Sequence, residues 1–149
     1  STYVQKSPGN HKGYEYSRTG NPTRSALEQN LASLEEGKYG LCFGSGLAAV
    51  DAIIKLLGPG DEVISTNDLY GGTYRIFTKV FESFGIKFHF IGMGGIEEII
   101  PLINSNTKML WIETPTNPML KIIDIEDVLK TSFLFDSLLK NLKQDVSNP

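Results

Sequence analysis

Between residues 39 and 112, short apolar stretches alternate with segments of helical spacing, and few folds can accommodate that order. Tyr39–Phe43, Glu62–Thr66, Lys87–Ile91 and Met109–Ile112 each predict a strand, and Leu47–Leu57, Thr73–Phe84 and Ile96–Ile103 each predict a helix. Strands joined through helices cannot pair as hairpins. They need crossovers, which make neighbours parallel and leave helices on both faces of the sheet. The expected class is therefore α/β. Ahead of this block, Ala26, Leu27, Leu31 and Leu34 recur at helical spacing after Pro22, and Gly37 ends the run. Residues 1–21 show no periodicity and predict an extended arm. Behind the block, Ile122–Lys130 predicts a short helix. Phe135, Leu138, Leu139 and Leu142 fall on one side of another, followed by a polar run and no further strand. The expected organisation is an arm over 1–21, an α/β domain over 22–131 and an atypical tail over 132–149.

Composition removes several classes of function. A net charge of −3 spread over 149 residues offers no basic face to nucleic acid or to an anionic membrane. No apolar run approaches the roughly 20 residues that span a bilayer, and the opening lacks the pattern of a signal peptide. The single cysteine, Cys42, excludes an internal disulfide framework and suits a reducing compartment, so the cytoplasm is expected. Its place in an apolar strand predicts a buried, inert thiol. Two histidines, His11 and His89, are too few for a zinc site, and no metal is expected. His89 alternates with Phe88 and Phe90 and reads as a satisfied sheet histidine. Glu35-Glu36 and Glu97-Glu98 read as solvated helix faces, and Asp51 has no assignable role.

The segment Phe43-Gly44-Ser45-Gly46-Leu47-Ala48-Ala49 passes from a strand straight into a helix. Glycines let the backbone turn sharply there and bring N–H groups close to a ligand. A helix start adds unpaired donors and the positive end of the dipole, which together favour a phosphate. The same residues match G-x-G-x-x-A, a dinucleotide fingerprint, with Asp68 about 20 residues on as a ribose ligand. A plain tight turn packing small residues is equally compatible. A serine-hydrolase role for Ser45 is excluded, because G-S-G-L-A lacks the G-x-S-x-G spacing.

Three further segments carry chemistry-bearing residues in loops. Tyr14-Glu15-Tyr16-Ser17-Arg18-Thr19-Gly20-Asn21-Pro22-Thr23-Arg24 lies outside any periodic element, and its arginines suit a phosphate or carboxylate. Asp68-Leu69-Tyr70-Gly71-Gly72-Thr73-Tyr74-Arg75 follows the second expected strand. A tyrosine beside two glycines can lay its ring against a planar molecule. Glu113-Thr114-Pro115-Thr116-Asn117-Pro118 follows the fourth, and Asn117 can both donate and accept. In a parallel sheet both of these loops emerge at the carboxyl edge, where ligands gather.

Taken in this order, Y-S-R-x-G-N-P-T, S-G-L-A-A, Y-G-G-T and E-T-P-x-N-P resemble the Cys/Met-metabolism family of pyridoxal 5'-phosphate (PLP) enzymes, which includes cystathionine γ-synthases and γ-lyases. The resemblance runs from Ser1 to about Lys130. It implies the large α/β domain of a fold type I PLP transferase, here partial, with an N-terminal arm. It further implies that Ser45, Gly46 and Leu47 bind the cofactor phosphate. Tyr70 would stack on the pyridine ring and assist deprotonation, Asn117 would hydrogen-bond its phenolic oxygen, and Arg75 would contribute to substrate binding. Tyr16 and Arg18 would reach the phosphate in a neighbouring subunit, and Glu15 would meet the distal amino group of a cystathionine-like substrate. The family's assembly implies a homo-oligomer, a dimer of dimers.

PLP chemistry also needs a lysine that holds the cofactor covalently and a carboxylate at the pyridinium nitrogen. The family's D-N-T and later S-x-T-K contexts for these groups do not occur in the 149 residues. Ser105-Asn106-Thr107-Lys108 spells S-x-T-K but precedes the fourth strand. Phe133-Leu134-Phe135-Asp136 comes too soon and lacks Asn-Thr after its aspartate. The expectation is a truncated transsulfuration enzyme acting on cystathionine or a homoserine ester and inactive alone. Alternatives are a methionine γ-lyase or O-acyl-homoserine sulfhydrylase fragment, a non-catalytic subunit pairing with a full-length homologue, or an NAD-binding domain.

Overall fold

The computed structural model describes residues 1–130, so the expected tail helix and the Phe133–Asp136 stretch lie outside the described residues. Two compact units are present, Ser1–Ala49 and a second that begins at Val50.

In the first unit the arm is not extended throughout, as its lack of periodicity suggested. β1 (Gln5–Ser7) pairs antiparallel with β2 (Asn10–His11), turning at Gly9 with φ 78°. Residues 1–3 run back against 15–17, with Tyr3 N donating to Glu15 O and Ser17 N to Ser1 O, each at 2.9 Å. Strands of two or three residues are too short to leave a hydrophobic period in the sequence. α1 (Pro22–Leu34) starts where Pro22 implies, with the Asn21 side chain accepting from Thr23 N and Arg24 N at 2.9 and 3.1 Å. Leu27, Leu31 and Leu34, spaced as a buried stripe, are exposed, and Ala32 is the residue of α1 that is buried.

The expected strand Tyr39–Phe43 does not form. Strand geometry depends on a paired neighbour, and among the described residues none pairs with this segment. Tyr39, Leu41 and Phe43 stay exposed and Cys42 is only half-buried, which corrects the expectation of an enclosed thiol. The segment is held instead against α1, where Cys42 N donates to the Glu28 carboxylate at 3.0 Å. Gly40 is required there, because a Cβ would strike the backbone of Glu28.

The boundary between units falls inside α2 (Gly46–Ile54). The second unit is the α/β sheet. β3 (Glu62–Thr66) lies between β4 (Lys87–Ile91) and β5 (Thr107–Trp111), parallel to both. All five residues of β3 are buried. Val63 joins Val50, Ile54, Phe77, Phe81 and Phe88 on one face, and Ile64 joins Met93, Ile99, Ile123 and Val128 on the other. That is the two-sided burial expected of a parallel sheet.

α3 (Gly71–Lys79) begins two residues before its apolar period, since glycines in a first turn break no intrahelical N–H bond. A separate 3₁₀ turn, Phe81–Phe84, completes the expected helix. α4 (Ile96–Ile99) gives way to a 3₁₀ turn at Ile100–Leu102, because Pro101 has no N–H with which to continue an α-helix. Residues 125–130 are helical, within the span predicted as a short helix.

At the amino edge of the sheet Glu62 ties three segments together. Its carboxylate accepts from Asn104 Nδ2 at 2.9 Å, His89 Nε2 at 2.7 Å and Lys87 Nζ at 3.3 Å. His89 is thus the satisfied sheet histidine its neighbours implied. The Asn104 bond first, then the His89 bond, hold the Glu62 pKa down to about 2 against the opposing effect of burial. A folded pKa below the unfolded value of 4.5 means that this stabilisation is fully present above about pH 4.5 and is lost as pH falls toward 2. In urea denaturation, the stability advantage of the native chain over Glu62→Gln should be fully present at about pH 5. It should then shrink steadily toward about pH 2. An advantage that does not change across this range would contradict the assignment.

Candidate functional site

The chain passes from β3 to its neighbour β4, then crosses back over β3 to reach β5. Strand order therefore reverses at β3, and the crevice beyond the carboxyl ends of β3 and β5 is where an open α/β sheet takes its ligands. Two loops meet there, residues 67–70 after β3 and 112–118 after β5.

Side chains near the base of each loop fasten it to the other. The Asp68 carboxylate accepts a short hydrogen bond from Thr116 Oγ1, and its same oxygen accepts from Met119 N at 3.0 Å. Thr116 is 1% exposed, and its hydroxyl also accepts from Lys121 N at 2.8 Å. In the other direction the Glu113 carboxylate accepts from Tyr70 N, at 3.2 and 3.1 Å to its two oxygens. Thr114 Oγ1 closes the loop by accepting from Ile123 N at 3.0 Å. Asp68, the ribose ligand of a dinucleotide site, is thus engaged inside the protein.

The side chains expected to meet a ligand stand apart from this network. Tyr70 is 49% exposed, its ring lies over Gly72, and its hydroxyl has no hydrogen bond among the described residues. Asn117 is exposed between the anchored residues Thr116 and Met119, with its amide free among the described residues. Arg75, one turn into α3, is exposed, and no ion pair forms to it among the described residues. Lys108, of the S-x-T-K string, lies near the opposite end of β5 and donates to Ser105 O at 2.9 Å.

In the first unit, Ser45 caps α2. Its Oγ accepts from Ala48 N at 3.1 Å and its carbonyl from Ala49 N at 3.2 Å. The N–H groups of Gly46 and Leu47 precede the first helical bond, and a Cβ on Gly44 or Gly46 would meet nothing within 4 Å. Donors with no partner among the described residues, in open space at a helix start, suit a phosphate. Tyr16 lies under the Arg18 guanidinium, 4.7 Å from the ring centroid, and the Glu15 side chain is exposed.

Comparison with known proteins agrees with this chemistry. A family profile described as Cys/Met metabolism PLP-dependent enzyme matches residues 1–133. Cystathionine gamma-lyase of Bacillus subtilis is 52% identical over 125 residues, covering 84% of this chain and 33% of that protein. A probable cystathionine gamma-synthase of Herpetosiphon aurantiacus is 48% identical over 132 residues, covering 89% of this chain and 41% of that one. The crystal structure of cystathionine gamma-lyase from Lactobacillus plantarum complexed with L-serine superposes with a TM-score of 0.82 at 42% identity, over 91% of this chain and 35% of that one. The chain thus spans well under half the length of these relatives. A dinucleotide reading accounts for the Gly-Ser-Gly turn alone and is set aside.

Sequence reasoning placed Tyr70 and Asn117 in loops at one edge but missed Asp68, Glu113 and Thr116 as the residues that hold them. The ring contact at Gly72 is testable. Gly→Ala in an open helical position stabilises by about 0.5–1 kcal/mol. In this chain the added methyl meets the Tyr70 ring, so Gly72→Ala should give no gain in urea denaturation. In a Tyr70→Ala background the gain should return, and equal effects in both backgrounds would contradict the contact.

Proposed function

The chain belongs to the Cys/Met metabolism family of PLP-dependent enzymes, and we propose that it forms the cofactor-binding part of a transsulfuration enzyme acting on a cystathionine-like amino acid. The observation that carries this reading is the contrast at the carboxyl edge of the sheet. Backbone and carboxylate groups there are bonded to one another, whereas among the described residues the Tyr70 hydroxyl and the Asn117 amide have no partner.

PLP, when bound, draws electrons from the substrate so that its α- and β-protons become removable. The chain's own residues would do the rest. Gly46 N, Leu47 N and the Ser45 region hold the phosphate dianion through backbone donors and the start of α2. Tyr70 offers its ring to the cofactor face and its phenol to a substrate proton. Asn117 donates to the phenolic oxygen and so keeps that oxygen anionic. Arg75 attracts a substrate carboxylate, and Glu15 an ammonium at the far end of the substrate.

Tyr16 and Arg18, in the arm of residues 1–21, serve the phosphate site of a second copy, which makes the working form a homo-oligomer arranged as paired dimers. The reaction is γ-elimination or γ-replacement, as the lyase and synthase names of the relatives suggest. Methionine γ-lyase and O-acyl-homoserine sulfhydrylase are the neighbouring alternatives. The single Cys42 favours a reducing, cytoplasmic setting. Among the described residues no helix is long and apolar enough to cross a membrane.

The 149 residues contain no lysine in the family's cofactor-anchoring context, so PLP binding by these residues is non-covalent. Titration with PLP should quench the single tryptophan, Trp111, saturably, whereas NAD should not. After borohydride treatment the denatured chain should keep its unmodified mass. Binding of NAD without PLP would reject the function, and a stable pyridoxyl adduct at one lysine would reject non-covalent binding.

A further inference from the structure

The two carboxylates beneath the proposed cofactor residues have reciprocal partners. Asp68 follows β3 and binds the loop after β5, at Thr116 Oγ1 and Met119 N. Glu113 follows β5 and binds the loop after β3, at Tyr70 N. Tyr70 and Asn117 are therefore each held from the opposite strand. Tyr70 is fixed at its own N–H, and Asn117 lies within a stretch pinned on both sides.

We propose that Asp68 and Glu113 form a two-way latch that sets the Tyr70 ring and the Asn117 amide relative to one another, and so act as positioning residues for PLP. This rests on the proposed roles of Tyr70 and Asn117. The physical argument is one of pre-organisation. β3 and β5 are hydrogen-bonded neighbours, so the ends of the two loops are already close. Beyond the last ladder bond, the Asp68 and Glu113 links are side-chain bonds that join the loops to each other. A carboxylate accepting from a backbone N–H is a charge-assisted bond, stronger than a neutral one. Glu113 also places negative charge at the start of α3, where the helix dipole favours it. If either link is removed, the other loop loses its reference point as well.

Both bonds to Asp68 end on a single oxygen, Oδ2. Asp68→Asn can keep an acceptor there and should restore what Asp68→Ala loses. Glu113→Gln likewise keeps one acceptor for Tyr70 N, and Glu113→Ala keeps none.

The test uses the full 149-residue chain and has two arms. In the first, amide hydrogen exchange is followed by NMR without ligand. A latch requires crossed effects. Asp68→Ala should speed exchange at Tyr70 N, whose partner is Glu113, and Glu113→Ala should speed it at Met119 N, whose partner is Asp68. If each variant loosens only its own partner, the latch is overturned.

In the second arm PLP affinity is measured. Asp68→Ala and Glu113→Ala should each weaken it about tenfold, with Asp68→Asn and Glu113→Gln close to the native value. Wild-type affinity in both alanine variants, alongside weakened binding in Asn117→Ala, also overturns the proposal. Unchanged affinity in Asn117→Ala and Tyr70→Ala would defeat the ring-binding roles themselves, and the exchange arm then decides the latch by itself. A global loss of fold in an alanine variant would show in its far-ultraviolet circular dichroism, and the asparagine and glutamine variants paired with Thr116→Val then carry the comparison.

Discussion

Everything at the carboxyl edge of the sheet depends on β3 having a parallel hydrogen-bonded neighbour on each side. Register with β4 is continuous from Glu62 opposite Lys87 to Thr66 opposite Ile91, and pairing with β5 continues to Ser65 opposite Trp111. Because all three strands point the same way, their carboxyl ends finish together and their following loops emerge side by side. A hairpin-connected sheet would send consecutive loops to opposite edges. Chain direction therefore brings Asp68 and Tyr70 within hydrogen-bonding reach of residues 43 to 51 positions away.

The ladder persists because both faces of β3 are sealed. On one side Phe77 stacks on Phe88, with ring centroids 4.4 Å apart, and meets Trp111 edge-on at 5.4 Å, so one side chain of α3 touches residues of both outer strands. On the other, Ile64 and Ile99 are fully buried together with Met93. At the amino edge, Glu62 links β4 and the segment before β5 through a charged hydrogen-bond cluster. The two ends of the strand thus do different work. The amino end joins its neighbours through one carboxylate, and the carboxyl end joins its loops through two while leaving Tyr70 and Asn117 exposed.

The second unit was largely legible in the sequence, and the first chiefly in α1. β3 and β4 have the bounds that their apolar runs imply, because a strand buried on both faces leaves a continuous signal such as E-V-I-S-T. Helix ends were less legible, since Pro101 and the glycines at 71 and 72 act through single backbone groups that a periodic pattern does not register. Tyr39–Phe43 reads as a strand from composition, yet pairing is a property of a neighbour and is not encoded in the segment itself. The candidate site divides in the same way. Tyr70, Asn117 and Ser45-Gly46-Leu47 were visible as motifs. Asp68–Thr116 and Glu113–Tyr70 are contacts across the β3–β5 crossover and required the fold.

The central claim is that the two loops at the sheet's carboxyl edge serve a planar coenzyme. The most direct measurement is an amide NMR titration of the chain with PLP. Resonances of Tyr70 and Asn117 should move together along one saturation curve, with those of Glu62 and Asn104 at the opposite edge unmoved. Movement confined to the amino edge, with Tyr70 and Asn117 unaffected, would contradict the account.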